Sequence, residues 1–150
     1  MTKLLIVYES RTGNTKTMAK AVQEGAVSAG AAVSLKKVTE ATIDDLLKCD
    51  AVIFGTPNNF GYMAGTLKEF FDQIWLNLSN KAVTKRYGAF SSGQGGAKPA
   101  LNSIDHVCHE FVDWADFKFE KVTEGVSAKG KPSPEVLEEC KQLGRKMAQL

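Results

Sequence analysis

Lys3-Leu4-Leu5-Ile6-Val7-Tyr8-Glu9-Ser10-Arg11-Thr12-Gly13-Asn14-Thr15 decides the fold. The run from Lys3 to Tyr8 is continuously apolar rather than alternating, which suits a strand covered on both faces, as in a parallel sheet. It breaks abruptly into hydroxyls, one glycine and an amide. Beyond the break, Met18, Ala21, Val22, Gly25, Ala26 and Ala29 recur at helical spacing, predicting a helix from Asn14 to Ala29 with a thin packing face and Gly30 as its stop. A buried strand thus delivers a polar turn to the start of a helix.

The same unit repeats along the chain. Val33 and Leu35 mark a second strand, and Ile43 to Lys48 a short helix opening on Thr42 or Asp44. Asp50 to Gly55 gives another apolar strand. Leu67, Phe70, Phe71, Ile74, Trp75 and Leu78 step by three and four, predicting a helix whose stripe, Trp75 included, is core. Arg86 to Phe90 reads as a fourth strand, with Leu101, Ile104, Cys108 and Phe111 on the helix behind it. Phe117, Phe119 and Lys121-Val122 suit an edge strand, and Pro132-Ser133-Pro134-Glu135 opens a last helix carrying Cys140 and Met147. This alternation argues one α/β domain over residues 1–150, with five parallel strands in the order 2-1-3-4-5 and helices on both faces.

Composition excludes several classes. With 43% hydrophobic and 24% charged residues the chain is an ordinary globular one, not a disordered one. Lysine and arginine number 19 against 17 acids, so the net charge of +2 gives no footprint for nucleic acid or an anionic membrane surface. No apolar run reaches the length of a membrane span, because the uncharged stretch from Ala51 to Leu67 is cut by Pro57, Asn58, Asn59 and three glycines. The apolar start, too short and without a cleavage site, predicts a strand rather than a leader. Cys49, Cys108 and Cys140 form neither a C-x-x-C pair nor a metal cluster, which points to a reducing cytoplasm and structural thiols.

In sheets of this topology ligands bind at the carboxyl ends of the strands, where strand order reverses. Three such ends run into loops of glycine, hydroxyl and amide: Ser10 to Thr15, Thr56-Pro57-Asn58-Asn59-Phe60-Gly61-Tyr62, and Ser91-Ser92-Gly93-Gln94-Gly95-Gly96. The first reads either as a tight turn with an N-cap or as an anion cradle. In the second reading Gly13 allows close backbone approach, helix N–H groups point outward, and Ser10, Thr12 and Thr15 add hydroxyls, with Arg11 and Asn14 beside them. Neither G-x-x-x-x-G-K-[ST] nor G-x-G-x-x-G is present, so P-loop and dinucleotide folds are not supported. A phospho-accepting receiver domain would need an aspartate after the third strand, where this chain has Gly55-Thr56-Pro57.

Ser10 to Thr15 matches [ST]-x-T-G-N-T at every specified position, and the chain resembles the flavodoxin superfamily. Pro57 to Met63 with Phe70-Phe71-Asp72 is similar to the P-T-x-F-G-x-M and F-L-D segments of the flavodoxin-like quinone reductases, with Asn58 in place of threonine. Phe90 to Gly96 is similar to their third, flavin-facing loop. The resemblance implies a flavodoxin-like three-layer sandwich binding FMN through Ser10, Arg11, Thr12, Gly13, Asn14 and Thr15 at the phosphate, and through Pro57, Asn58, Asn59, Phe60, Gly61 and Tyr62 with Ser91, Ser92, Gly93, Gly95 and Gly96 at the ring. Phe60 and Tyr62 are the rings available for stacking. Gly61 is expected to let its peptide turn over beside flavin N5.

The implied function is non-covalent flavin electron transfer, the protein itself supplying no catalytic side chain and no metal. A reductase taking hydride from NAD(P)H to a quinone-type acceptor is the alternative, and a flavin-free interaction module a more distant one. The partners would then be a redox protein, or NAD(P)H and a quinone, for a monomer or homodimer. The extra sequence of the quinone reductases after their fourth strand has no counterpart here, and the +2 balance departs from the strongly acidic carriers. Lys16, Lys20, Lys36 and Lys37 form a local basic area that is either a solvated face or a docking site. His106 and His109, on a helix among acids, are assigned no chemistry.

Overall fold

The computed structural model describes residues 1–150. Along the chain run β1 (Lys3–Tyr8), α1 (Asn14–Ser28), β2 (Ala32–Lys37), α2 (Ile43–Lys48), β3 (Ala51–Pro57), α3 (Gly65–Leu78), β4 (Thr84–Gly93), α4 (Lys98–Trp114), β5 (Lys118–Lys121), β6 (Val126–Lys129) and α5 (Pro134–Ala148). All strand pairs are parallel and the order is β2-β1-β3-β4-β5, as the sequence predicts. The edge differs in one respect. β6 is an additional strand, so β4 carries β5 along its first half and β6 along its second, with Gly93 opposite Lys129.

Side-chain alternation builds two cores. Leu4, Ile6, Tyr8 and Ile53 point toward α1 and α5, whereas Leu5, Val7, Val52 and Phe54 point toward α2, α3 and α4. Each fully buried side chain of this size contributes about 1.5–3 kcal/mol relative to exposure. On the second face the rings are dense: Phe54 and Phe71 lie 4.8 Å apart, and Phe111 and Phe119 5.1 Å. On the first, the thin face of α1 has a reason. A side chain at Gly25 would meet the Lys141 carbonyl of α5 at 2.0 Å, and one at Gly144 would meet the Val22 carbonyl at 2.0 Å, so the two helices approach backbone to backbone.

Trp75 departs from expectation. It is 42% exposed, lying edge-on to Phe111 at 6.0 Å, because the inner stripe of α3 is filled by Leu67, Phe70, Phe71, Ile74 and Leu78. Short α2 is held by a capping box, in which Thr42 Oγ1 accepts from Asp45 N at 3.0 Å and Asp45 accepts from Thr42 N at 2.9 Å. At its other end the buried Lys85 ammonium donates to the Leu47 and Cys49 carbonyls. No helix is long and apolar enough to cross a membrane.

Candidate functional site

The carboxyl ends of β1, β3 and β4 place all three polar loops on one cleft of about 170 Å³. Arg11, Thr12, Asn14 and Thr15 line it from the first loop, Pro57, Asn58 and Asn59 from the second, and Ser92, Gly93 and Gln94 from the third. Gln94 is an addition to the expected residues. Ser10 and Gly13 shape the first loop from behind, and Ser91 lies two residues before the end of β4 with its hydroxyl buried and unpartnered.

Gly13 sits at the N-cap of α1 with φ 99°, a conformation costing an L-residue about 1–2 kcal/mol. The N-cap residue has no side chain to cap the helix, so the Asn14 and Thr15 N–H groups are available to an anion. Ser10 Oγ accepts from Lys16 N at 3.2 Å and ties the loop down, while Thr12 is exposed with a free hydroxyl. Thr15 is buried and its Oγ1 lies 2.8 Å from Ser92 Oγ, joining the first loop to the third.

β3 runs two residues beyond the predicted end, so Thr56 and Pro57 pair with Ser91 and Ser92. Asn58 N then donates to Ser92 O at 2.7 Å. The next four residues form a tight turn closed by Asn59 N to Tyr62 O at 2.9 Å and Tyr62 N to Asn59 O at 3.1 Å. Both central residues have positive φ, 55° at Phe60 and 76° at Gly61, the pattern of a type I′ turn. Here the sequence reading needs amendment: Gly61 already holds the left-handed conformation it was expected to reach. Thr56 Oγ1 accepts from Ala64 N at 2.8 Å and Ser103 Oγ accepts from Met63 N at 2.9 Å, fixing where the turn returns to α3. Thr56 opens the second loop in the sequence but was given no role there, and Ser103 was not singled out at all.

The turn presents Phe60 fully to solvent, 108% exposed, with Tyr62 at 37% beside it. A side chain held uncovered on a left-handed backbone offers its face to a planar ligand. Asn58 gives a second sign of one. Its Nδ2 donates to Gly96 O at 3.3 Å, but its Oδ1 is buried without a donor. Opposite, a Cβ at Gly95 or Gly96 would meet no atom within 4 Å, leaving backbone free to meet a ligand, whereas at Gly93 it would strike Gly96 O at 2.3 Å. A helix N-terminus for a phosphate, an orphaned acceptor for a ligand N–H or O–H, and an exposed ring fit FMN.

The flavodoxin family model matches residues 6–144, which include all three loops. The chain belongs to the flavodoxin family. It is 38% identical to a flavodoxin of Aquifex aeolicus along 99% of this chain and 86% of that one. It is 39% identical to an NAD(P)H dehydrogenase (quinone) of Rhizobium meliloti along 71% of this chain and 61% of that one. Among solved structures, a flavodoxin from the domain Archaea superposes with a TM-score of 0.83 at 25% identity, covering 98% of this chain and 96% of that one. As a flavodoxin the chain is an FMN-binding electron-transfer flavoprotein.

The histidines and cysteines lie outside the cleft. His106 and His109 are exposed on α4, 3.7 Å from Glu110 and 3.3 Å from Asp113. Burial pushes the Cys49 thiol up to about 11 and the Cys140 thiol up to about 12, against a weaker opposing pull from the Lys85 ammonium at Cys49. Both are structural thiols.

Proposed function

We propose that this flavodoxin is a carrier that passes single electrons between redox proteins, rather than an NAD(P)H-dependent quinone reductase. The observation that carries this reading is the connection after β4. Only Gln94 to Ala97 separate β4 from α4, so nothing is inserted there to build a second wall over a ring lying against Phe60. A hydride donor must stack over the flavin in a pocket of its own, whereas an electron needs only close approach. The fuller coverage of the Aquifex flavodoxin than of the Rhizobium dehydrogenase points the same way.

The geometry supports the following residue roles. Thr12, the α1 N–H groups and Arg11 hold the phosphate; Asn58, Asn59 and the backbone of Ser92 to Gly96 meet the polar edge of the ring; Phe60 and Tyr62 cover its faces. When bound, FMN supplies the one-electron chemistry. The buried, unreactive thiols fit a reducing cytoplasm, and a monomer or homodimer would leave the cleft open. Anaerobic mixing of FMN-loaded protein with NADPH and with reduced methyl viologen tests the choice. Prompt reduction by the viologen and none by NADPH over minutes is expected, and reduction by NADPH within seconds would favour the reductase.

A further inference from the structure

The net charge of +2 conceals an uneven distribution. Arg11, Lys16, Lys37, Lys98, Lys129 and Lys131 are all exposed, none forms an ion pair, and all stand at the carboxyl edge of the sheet around the cleft. Backbone register fixes their places. Lys37 ends β2 opposite Tyr8, where the first loop begins, and Lys129 ends β6 opposite Gly93, in the third. Gly130 N donates to Gly93 O at 2.7 Å, which brings Lys131 to the same rim. On the other side Lys98 opens α4 beside Pro99, the nearest neighbour of Gly61 at 3.9 Å from its ideal Cβ.

The acids at this edge do not cancel them. Asp45 is engaged by Lys36, Asp44 by Lys48 and Asp72 by Lys68. That leaves Glu9, Glu40 and Glu135 at the edge itself, with Glu69 and Glu139 a turn further along α3 and α5, against six free cations. A phosphate on α1 accounts for Arg11 and Lys16, but Lys98, Lys129 and Lys131 flank the ring end of the cleft, on both sides of the Phe60–Tyr62 turn and the Gly93–Gly96 loop. A phosphate on α1 does not account for these three.

We propose that this cationic edge docks an acidic redox protein whose carboxylates surround its own electron-carrying group. The proposal rests on the carrier reading above. One electron leaves the partner and one arrives on the flavin; any proton that follows comes from solvent. Complementary charge steers such an encounter and raises the on-rate by about 10- to 1000-fold at low salt, so the partner's sign is read by salt and by charge reversal.

The test uses FMN-loaded protein and oxidised [2Fe–2S] ferredoxin, an acidic one-electron carrier, with basic cytochrome c as its opposite. Calorimetry at about 20 mM and about 300 mM salt spans screening lengths of about 20 and about 6 Å. We expect ferredoxin to bind at low salt, to weaken at least about tenfold at high salt, and to weaken similarly in Lys98→Glu/Lys129→Glu/Lys131→Glu. A control with the same change of charge at the opposite edge, Lys3→Glu/Lys81→Glu/Arg86→Glu, should stay within about threefold. Tighter binding of cytochrome c, no binding of ferredoxin, or equal loss in the control would overturn the proposal. So would a ferredoxin-independent loss of NADPH binding in the first triple, which would assign the cations to a dinucleotide phosphate. Electron uptake from methyl viologen keeps the two readings separate. A protein that exchanges with viologen but ignores ferredoxin loses only the docking claim, and one that exchanges with neither loses the carrier reading as well.

Discussion

Thr15 Oγ1 and Ser92 Oγ lie 2.8 Å apart, buried, and separated by 77 residues of chain. This contact fastens the first turn of α1 to the end of β4, so the first and third loops of the cleft share one support. Either oxygen can donate, and the other keeps a lone pair or proton for the ligand.

Removing one hydroxyl leaves its partner buried and unsatisfied, at a cost of about 1–3 kcal/mol. Thr15→Val and Ser92→Ala are each expected to lower the melting temperature of the apoprotein by about 2–12 °C. The double variant should cost less than the sum, by about 0.5–3 kcal/mol. Strict additivity in thermal melts would show that the two loops are not coupled through this bond.

Thr12 is the exposed hydroxyl of the first loop. Thr12→Ala should weaken FMN by about 5- to 200-fold, corresponding to about 1–3 kcal/mol, while leaving riboflavin nearly unaffected, since riboflavin carries no phosphate. Equal losses for both ligands would place the phosphate elsewhere.

The Phe60–Gly61 turn yields two opposite expectations. Asn-Gly is the favoured pair for a type I′ turn, so Phe60→Asn should stabilise the apoprotein by part of the roughly 1–2 kcal/mol that the left-handed conformation costs an L-residue. It should also weaken FMN by roughly 2- to 13-fold through lost stacking of about 0.5–1.5 kcal/mol. A variant that binds FMN as tightly as the parent would show that Phe60 does not cover the ring. Gly61→Ala opposes a φ of 76° already present, and should lower apoprotein stability by about 1–2 kcal/mol. With FMN still bound, a shift of tens of millivolts in the one-electron potentials is also expected. Unchanged potentials would show that the turn holds the ring without tuning it.

Burial raises the Cys49 and Cys140 thiols to about 11 and about 12. Unfolded cysteine ionises near 8.5, so above that pH the unfolded chain releases protons that the folded chain retains. The stability these thiols contribute is therefore complete below about pH 8.5 and falls as pH rises toward 11, by up to about 1.4 kcal/mol per pH unit for each. Denaturant melts from pH 7 to 10.5 measure the slope, and Cys49→Ala with Cys140→Ala should reduce it. A slope unaffected by both changes would contradict the assignment.

Much of this was readable in the residues. The continuous apolar runs at Leu4–Tyr8 and Ala51–Phe54 are buried on both faces, and the turn residues that end β1 place the first loop correctly. β6 was hidden because it is four residues long between Gly125 and Gly130; its inward Val126 and Ala128 were its only periodic signal. The left-handed Phe60 could not be foreseen, since phenylalanine disfavours that conformation and only the closing bonds between Asn59 and Tyr62 impose it. The clustering of lysines on one edge depends on register, as between Lys129 and Gly93, and total charge conceals it.

Fluorescence titration of apoprotein with FMN tests the central claim most directly, because a flavin seated against Phe60 and Tyr62 loses its emission. The account predicts quenching that saturates at one FMN per chain, with riboflavin bound more weakly by the contribution of the phosphate loop. Emission unchanged at equimolar FMN and protein, or riboflavin bound as tightly as FMN, would contradict it.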